Sequence, residues 1–248
     1  PPAVAIRAFG TGGKPGIRRF ETLKAARAIA GAILAHRPQV LLSAGNHFHL
    51  AAGRAFRLAG RPAATRLMGR ASNATPRFGR ALPGIAALAN AVDARKYREL
   101  QTVIAVSHEL ARDLATRLQV PEQRITVIPN GVDLDAVARM AGEALDDPWF
   151  AVGGPPVIVS AGRLSKQKNY PLLIDAFARL RKGRQARLLI LGEGSAGARA
   201  ALLGQSRSLG VEADVRLHGF DPNPMRFFAR AGLFVLSSRW EGDRKSVV

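Results

Sequence analysis

Cysteine is absent from the 248 residues, which excludes a disulfide scaffold, thiolate metal sites and a cysteine nucleophile. Aromatic residues make up only 6% of the chain, few for the stacking platforms that hold single-stranded nucleic acid. No apolar run approaches the roughly 18 residues of a membrane span. The N-terminus, Pro1-Pro2-Ala3-Val4, has neither an initiator methionine nor signal-peptide grammar, so the chain is expected to start inside a longer protein. Carboxylates are scarce at one end: within residues 1–98 only Glu21 and Asp93 stand against 17 Lys and Arg. That segment therefore carries +15 of the total +19. Such a field attracts nucleic acid, anionic membrane or acidic substrate. Arginine supplies 30 of the 37 basic residues, a drift seen in Ala-rich chains, but drift alone would not spare the second half.

What is present has the rhythm of an α/β protein. Short apolar runs at 40–43, 102–107, 125–128, 157–160, 187–191, 215–218 and 233–236 read as buried parallel strands. Helical patterns at 18–36, 108–118, 170–180 and 196–209 separate them, giving a βαβα order and parallel sheets. Polar or glycine residues close the strands at their carboxyl ends, where such sheets bind ligands. Pro129-Asn130-Gly131-Val132-Asp133, followed by a polar stretch read as irregular through Asp146-Asp147-Pro148, is expected to cross between two domains, with the boundary near residue 134.

One turn carries most of the chemistry. Val159-Ser160-Ala161-Gly162-Arg163-Leu164-Ser165-Lys166-Gln167-Lys168-Asn169-Tyr170 is a buried strand ending in glycine, then cations, then a helix start. Gly162 lets the backbone approach a bulky ligand, and the helix N-terminus favours negative charge. Arg163 can fork onto phosphate oxygens while Lys168 adds a point charge, which together suit a diphosphate. The alternative is a solvated basic loop.

Gly162-Arg163-Leu164 followed by Lys168 resembles the diphosphate motif of the GT4-type glycosyltransferases. Ile128-Pro129-Asn130-Gly131-Val132-Asp133 resembles the interdomain signature of that family, and Ile104-Ala105-Val106-Ser107 the strand before it. Leu236-Ser237-Ser238-Arg239-Trp240-Glu241-Gly242 resembles the start of its Glu-x7-Glu element. The four stand in the family's order over roughly residues 38–242. The resemblance implies a GT-B-like α/β fold of two Rossmann-like parallel-sheet domains facing a cleft, both incomplete. Residues 1–133 would be an acceptor-side domain lacking its N-terminal part, and 134–248 a donor-binding domain lacking its C-terminal part. It implies a retaining hexosyltransferase that moves sugar from a UDP- or GDP-sugar to a polysaccharide or lipid-linked glycan acceptor, with no metal or other cofactor.

By the same resemblance Arg163 and Lys168 would hold the leaving diphosphate and Glu241 the donor sugar's hydroxyls. Gly162, Gly192, Gly194, His218 and Gly219 would face the donor nucleotide, and His47, Ser72, Asn73 and Asn130 the acceptor or cleft. Cations aimed where charge develops on phosphate lower the barrier to transfer. Two departures stand out. The family's second glutamate would fall one position beyond Val248, and 243–248 read as an assembly artefact. Thr65 to Asn73 occupies the place of an active-site histidine and has none, leaving Arg70, Ser72 or Asn73 to reach a substrate. The chain as it stands is expected to show little or no transferase activity. The intact enzyme is expected in the cytoplasm, peripheral at the inner face of the membrane.

Other signals point elsewhere and are weaker. Gly192-Glu193-Gly194-Ser195-Ala196-Gly197 spells a dinucleotide fingerprint, but it follows the second strand of its domain, whereas a nicotinamide enzyme places it after the first. His47 and His49 have metal-like spacing without an evident third ligand, so they are read as cleft-lining or helix-start residues. A helix from Ile17 through His36 sets Ile17, Phe20, Leu23, Ile29 and Ile33 among Arg18, Arg19, Lys24 and Arg27, an amphipathic pattern that reads as a core-packed surface helix and, compatibly, as one whose basic face suits anionic lipid. A basic nucleic-acid-binding protein remains the alternative from another class, opposed by the absence of any recognised motif.

Overall fold

The computed structural model describes residues 18–46, 48–72 and 83–241, apart from the side chains of 18–22, 83, 85 and 86. Two compact units divide after Asn130, with the second running Gly131–Trp240.

In the first unit, helix α1 (Arg18–His36), strand β1 (Val40–Ser43), helix α2 (His49–Leu58), strand β2 (Arg66–Ala71) and helix α3 (Pro83–Ala94) follow one another. Strand β3 (Thr102–Ala105), helix α4 (His108–Leu118) and strand β4 (Ile125–Val127) complete the series. The four strands are parallel in the order β1-β2-β3-β4, with Val40 beside Arg66, Met68 beside Thr102 and Val103 beside Ile125. Leu67, Ala71, Val103 and Ala105 are sealed against Leu110, Leu114 and Leu118 of α4. Those leucines recur every four residues, so one face of α4 meets the sheet, and each buried leucine contributes roughly 1.5–3 kcal/mol. Ser107 caps α4: extended at φ −156°, it accepts the Leu110 N–H at 3.2 Å.

Helix α1 follows the amphipathic reading at Ile29 and Ile33 and departs from it at Leu23. Its buried stripe is Ala26, Ala30 and Ile33, packed with Ala55 and Ala59 of α2, while Leu23 and Leu34 are exposed. Small side chains let the two helices approach closely, so Ala26 and Ala30 share the seam with Ile33, and Ile29 packs beside them. Ile17 and the side chains of Arg18, Arg19 and Phe20 lie outside what is described; Lys24 and Arg27 are exposed. Strand β2 is a further difference, since its segment is not among the strands expected from the sequence. Leu67, Gly69 and Ala71 are buried while Arg66, Met68 and Arg70 alternate with them on a less buried face.

The second unit opens with helix α5 (Leu134–Gly142), within the stretch expected to be irregular. Asp133 caps it by accepting the Ala136 N–H at 2.8 Å. Strand β5 (Val157–Ala161), helix α6 (Tyr170–Arg181), strand β6 (Arg187–Leu191), helix α7 (Ala196–Ser208) and strand β7 (Val215–Gly219) follow. The short helix α8 (Met225–Phe228) and strand β8 (Leu233–Phe234) end the described series. All four strands are parallel, in the order β7-β6-β5-β8. Central β6 is almost wholly apolar, and Leu188, Leu189 and Ile190 are inaccessible to solvent. Helix α5 packs on α8, and the Asn223 side chain joins them by donating to the Met140 carbonyl at 2.8 Å and to Glu143 at 2.7 Å.

The strand order matters for function. From β5 the chain winds one way through β6 to β7, then crosses back to place β8 on the other side of β5. The switch of direction lies between β5 and β8, and ligands of such sheets bind beyond the carboxyl ends of strands at that point.

Candidate functional site

Gly162, Arg163 and Lys168 follow β5 at the switch point. Gly162 has φ +147°, a conformation closed to residues with a side chain, and a Cβ there would lie 2.6 Å from Lys168 Cε. The lysine stem therefore runs across the glycine. Three backbone bonds knit this turn to the next two strand ends: Gly162 N–H to the Leu191 carbonyl at 2.8 Å, Leu164 N–H to the Glu193 carbonyl at 2.8 Å, and Gly192 N–H to the Gly219 carbonyl at 2.6 Å. Gly192 (φ +139°) and Gly194 lie so close to Gly162 and Leu164 that a Cβ would meet Gly162 O at 2.1 Å and Leu164 Cβ at 2.6 Å. Buried Tyr170 donates its hydroxyl to the Gly162 carbonyl at 3.0 Å, fixing the turn from below.

A cleft of about 550 Å³ opens over these glycines, lined by Gly162, Arg163, Gly192, Glu193 and Gly194, with Phe220, Asp221 and Pro224 on the far wall. Arg163 is exposed, and Phe220 is 71% exposed. Lys168 is half-buried.

The segment after β8 is stitched to the same loop. Ser237 Oγ donates to the Lys168 carbonyl at 2.8 Å, the Arg239 N–H to the Gln167 carbonyl at 2.8 Å, and Gln167 Nε2 to the Trp240 carbonyl at 3.0 Å. Glu241 is half-buried and follows Trp240 directly.

His218 and Gly219 are held differently. The His218 ring stacks edge-on against Phe227 at 5.1 Å, and its Nε2 lies 3.4 Å from Asp221 Oδ2. Gly219, at φ +98°, accepts from Gly192. Burial works to raise the pKa of Asp221, but the hydrogen bond from Arg226, the Asn223 N–H, the Arg226 charge and His218 outweigh it and hold the carboxyl below its usual range. Neither Asp221 nor Phe220 was singled out in the sequence; the only signal was their position just past a strand that ends in glycine.

In the first unit, polar groups gather at the carboxyl ends of the strands. Arg70 on β2 reaches past β3 to donate to Asn130 Oδ1, and Asn46 Oδ1 accepts the Ser72 N–H at 3.0 Å. Ser72 and Asn130 are half-buried. His47 and Asn73 lie outside the described residues. His49, one of the two readings of which was cleft-lining, is the first residue of α2 and fully buried, with Nδ1 2.8 Å from Ser43 Oγ and its ring edge-on to Tyr97.

Two parallel α/β units of this kind, the second with its glycine turn at a switch point, are the architecture of the GT-B glycosyltransferases. Solved proteins that share it include the Anabaena protein HepE in complex with UDP and glucose, with TM-score 0.67 and 18% identity over 94% of this chain and 59% of that one. The lipopolysaccharide outer core galactosyltransferase WaaB in apo form has TM-score 0.63 and 18% identity over 93% and 58%. The chain belongs to the glycosyltransferases: the family model for Glycosyltransferase Family 4 matches residues 4–136, and that for Glycosyl transferases group 1 matches residues 143–242.

Among curated relatives, the N-acetylgalactosamine-N,N'-diacetylbacillosaminyl-diphospho-undecaprenol 4-alpha-N-acetylgalactosaminyltransferase of Campylobacter jejuni is 33% identical over 148 residues, 59% of this chain and 37% of that protein. The mannosylfructose-phosphate synthase of Agrobacterium fabrum is 32% identical over 161 residues, 58% of this chain and 34% of that protein. The chain thus spans little more than a third of the length of these relatives. Among the described residues, no helix is long and apolar enough to cross a membrane.

Proposed function

We propose that this chain is part of a retaining glycosyltransferase that moves a sugar from a nucleotide-diphosphate sugar to a glycan or lipid-linked acceptor. The observation that carries the reading is the turn after β5: two cations, Arg163 and Lys168, beside a backbone kept bare by Gly162, Gly192 and Gly194 at the switch point of the sheet. Diphosphate oxygens accept from Arg163 and Lys168, and as the glycosidic bond breaks the charge gathering on the leaving phosphate meets cations already in place. The departing phosphate assists attack on the same face of the sugar, so no protein nucleophile is required. Glu241 accepts from the sugar's hydroxyls. The base occupies the cleft near Gly219 and the exposed ring of Phe220.

The bound UDP-glucose in one HepE structure and the diphospho-undecaprenol acceptor in the Campylobacter relative's name support these substrate classes. Arg70, Ser72 and Asn130 then belong to the acceptor side, along with His47 and Asn73. The concentration of positive charge in residues 1–98 suits a peripheral position on anionic membrane at the cytoplasmic face.

Calorimetry with UDP and GDP tests the donor assignment. A charge-assisted contact contributes roughly 1.5–3 kcal/mol, so Arg163→Ala and Lys168→Ala should each weaken binding about tenfold or more. Unchanged affinity in both variants would remove the assignment. Tight, steeply salt-dependent binding of oligonucleotides in its place would favour the nucleic-acid alternative.

A further inference from the structure

Helices α3 and α4 end at the amino ends of β3 and β4, the opposite strand ends from Asn46, Arg70, Ser72 and Asn130. Between them lies a cavity of about 670 Å³. Its apolar wall includes Ala91, Ala94, Leu118 and Val120, and four arginines surround it: Arg95, Arg98, Arg117 and Arg124. No carboxylate lines it among the described residues. Arg117 is paired with Asp113 at 3.4 Å. Of the nearby carboxylates, Asp93 is taken up by Lys96 and Glu99 by Arg57 and Arg61, while Glu122, next to Pro121, is exposed and outside the lining. Arg95, Arg98 and Arg124 are exposed and form no ion pair among the described residues.

Cations next to helix carboxyl ends often do no more than offset the carbonyl groups there. Each helix end carries about half a negative charge, so α3 and α4 together neutralise about one arginine. With Asp113 neutralising another, about two positive charges remain over an apolar wall. A chain this basic has many unpaired arginines on solvated surface. These instead converge on a concavity within the roughly 300–1,000 Å³ range of ligand sites.

We infer that this cavity binds a phosphate monoester carrying an apolar tail. A phosphate monoester carries close to two negative charges at neutral pH, matching the excess, and guanidinium forks suit its oxygens. The tail lies along Leu118, Val120 and the alanines, so affinity rises with each methylene that leaves water. The site is independent of the donor turn: its residues belong to the first unit and Arg163 to the second.

Calorimetry on the 248-residue chain with octyl phosphate, inorganic phosphate and octanol tests it. Octyl phosphate should bind at least tenfold more tightly than either of the other two. The triple variant Arg95→Gln/Arg98→Gln/Arg124→Gln should lose at least tenfold in octyl phosphate affinity, while Arg163→Ala leaves that affinity unchanged. The three side chains are exposed, so the unfolding midpoint should stay put; Arg124→Gln alone, with a smaller loss, serves as the milder check. Sedimentation with phosphatidic-acid vesicles separates the sources. A vesicle signal that falls further in the triple variant than in Lys24→Gln/Arg27→Gln assigns the phosphate to a lipid headgroup, and a response confined to octyl phosphate assigns it to a soluble ester. Unchanged octyl phosphate affinity in the triple variant, or octanol binding as tightly as octyl phosphate, overturns the site.

Discussion

Gly192 lies against the peptide of Gly162 so closely that a Cβ on the one would stand 2.1 Å from the carbonyl oxygen of the other. The obstruction is backbone, and the carbonyl is already engaged by Tyr170 at 3.0 Å, so it has nowhere to move. Gly192→Ala, strained also by φ +139°, should destabilise the second unit by more than about 2 kcal/mol. Gly204→Ala, in α7 with nothing near its Cβ position, should instead stabilise by roughly 0.5–1 kcal/mol. Urea unfolding of both variants beside the parent checks the contrast, and equal midpoints would refute the crowding.

Removing the hydroxyl of Tyr170 probes the same turn from beneath. Tyr170→Phe keeps the ring's packing and deletes the hydrogen bond to the Gly162 carbonyl, a loss of about 1 kcal/mol. Because the freed carbonyl belongs to the turn that bears Arg163, UDP affinity should fall along with stability. Calorimetry and unfolding on the same preparation read both; a stability loss with unaltered UDP binding would confine the hydroxyl to holding the fold.

Asp221 makes stability depend on acid. Its folded pKa is lowered relative to the unfolded chain, so its contribution is fully present above the unfolded value, about 3.9, and is lost as pH falls through the folded one. Asp221→Asn should be less stable than the parent at pH 7, and the gap should close below about pH 4. Unfolding midpoints measured from pH 7 down to 2.5 test this, and parallel curves would show that the Arg226 pairing contributes nothing.

The basic helix α1 gives a prediction about surfaces. Lys24 and Arg27 are exposed, and with Arg18 and Arg19 they form the candidate contact for anionic lipid. With a Debye length of about 8 Å at physiological salt, such attraction weakens strongly as salt rises. The intact enzyme should sediment with anionic vesicles at low salt, and replacing all four residues by Gln should reduce that binding without altering nucleotide affinity. Equal binding to neutral vesicles, or an unaffected quadruple variant, would count against an electrostatic surface.

Much of the fold was legible because burial leaves local marks. The run Arg187–Leu191 is apolar at four successive positions, and β6 is found at those bounds. Helix α4 announces itself through the Ser107 cap and the leucines at every fourth position. Helix α5 also left a signal, the Asp133 cap with Leu134, Val137 and Met140 spaced by three, but no residue of it is fully buried and polar neighbours masked the pattern. In α1 the large residues Ile29 and Ile33 mark the packed face, but Ala26 and Ala30, which the close approach to α2 selects, carry no comparable signal.

By itself the sequence determined that two runs of parallel strands alternate with helices, and that a glycine and two cations follow the first strand of the second run. Only the tertiary structure decided what stands beside that turn. Lateral strand order depends on how each crossover packs back on the sheet, which no local periodicity records. The order β7-β6-β5-β8 sets the end of β8 next to the end of β5, and so brings Ser237 to Lys168 and Trp240 to Gln167 across about seventy residues of chain.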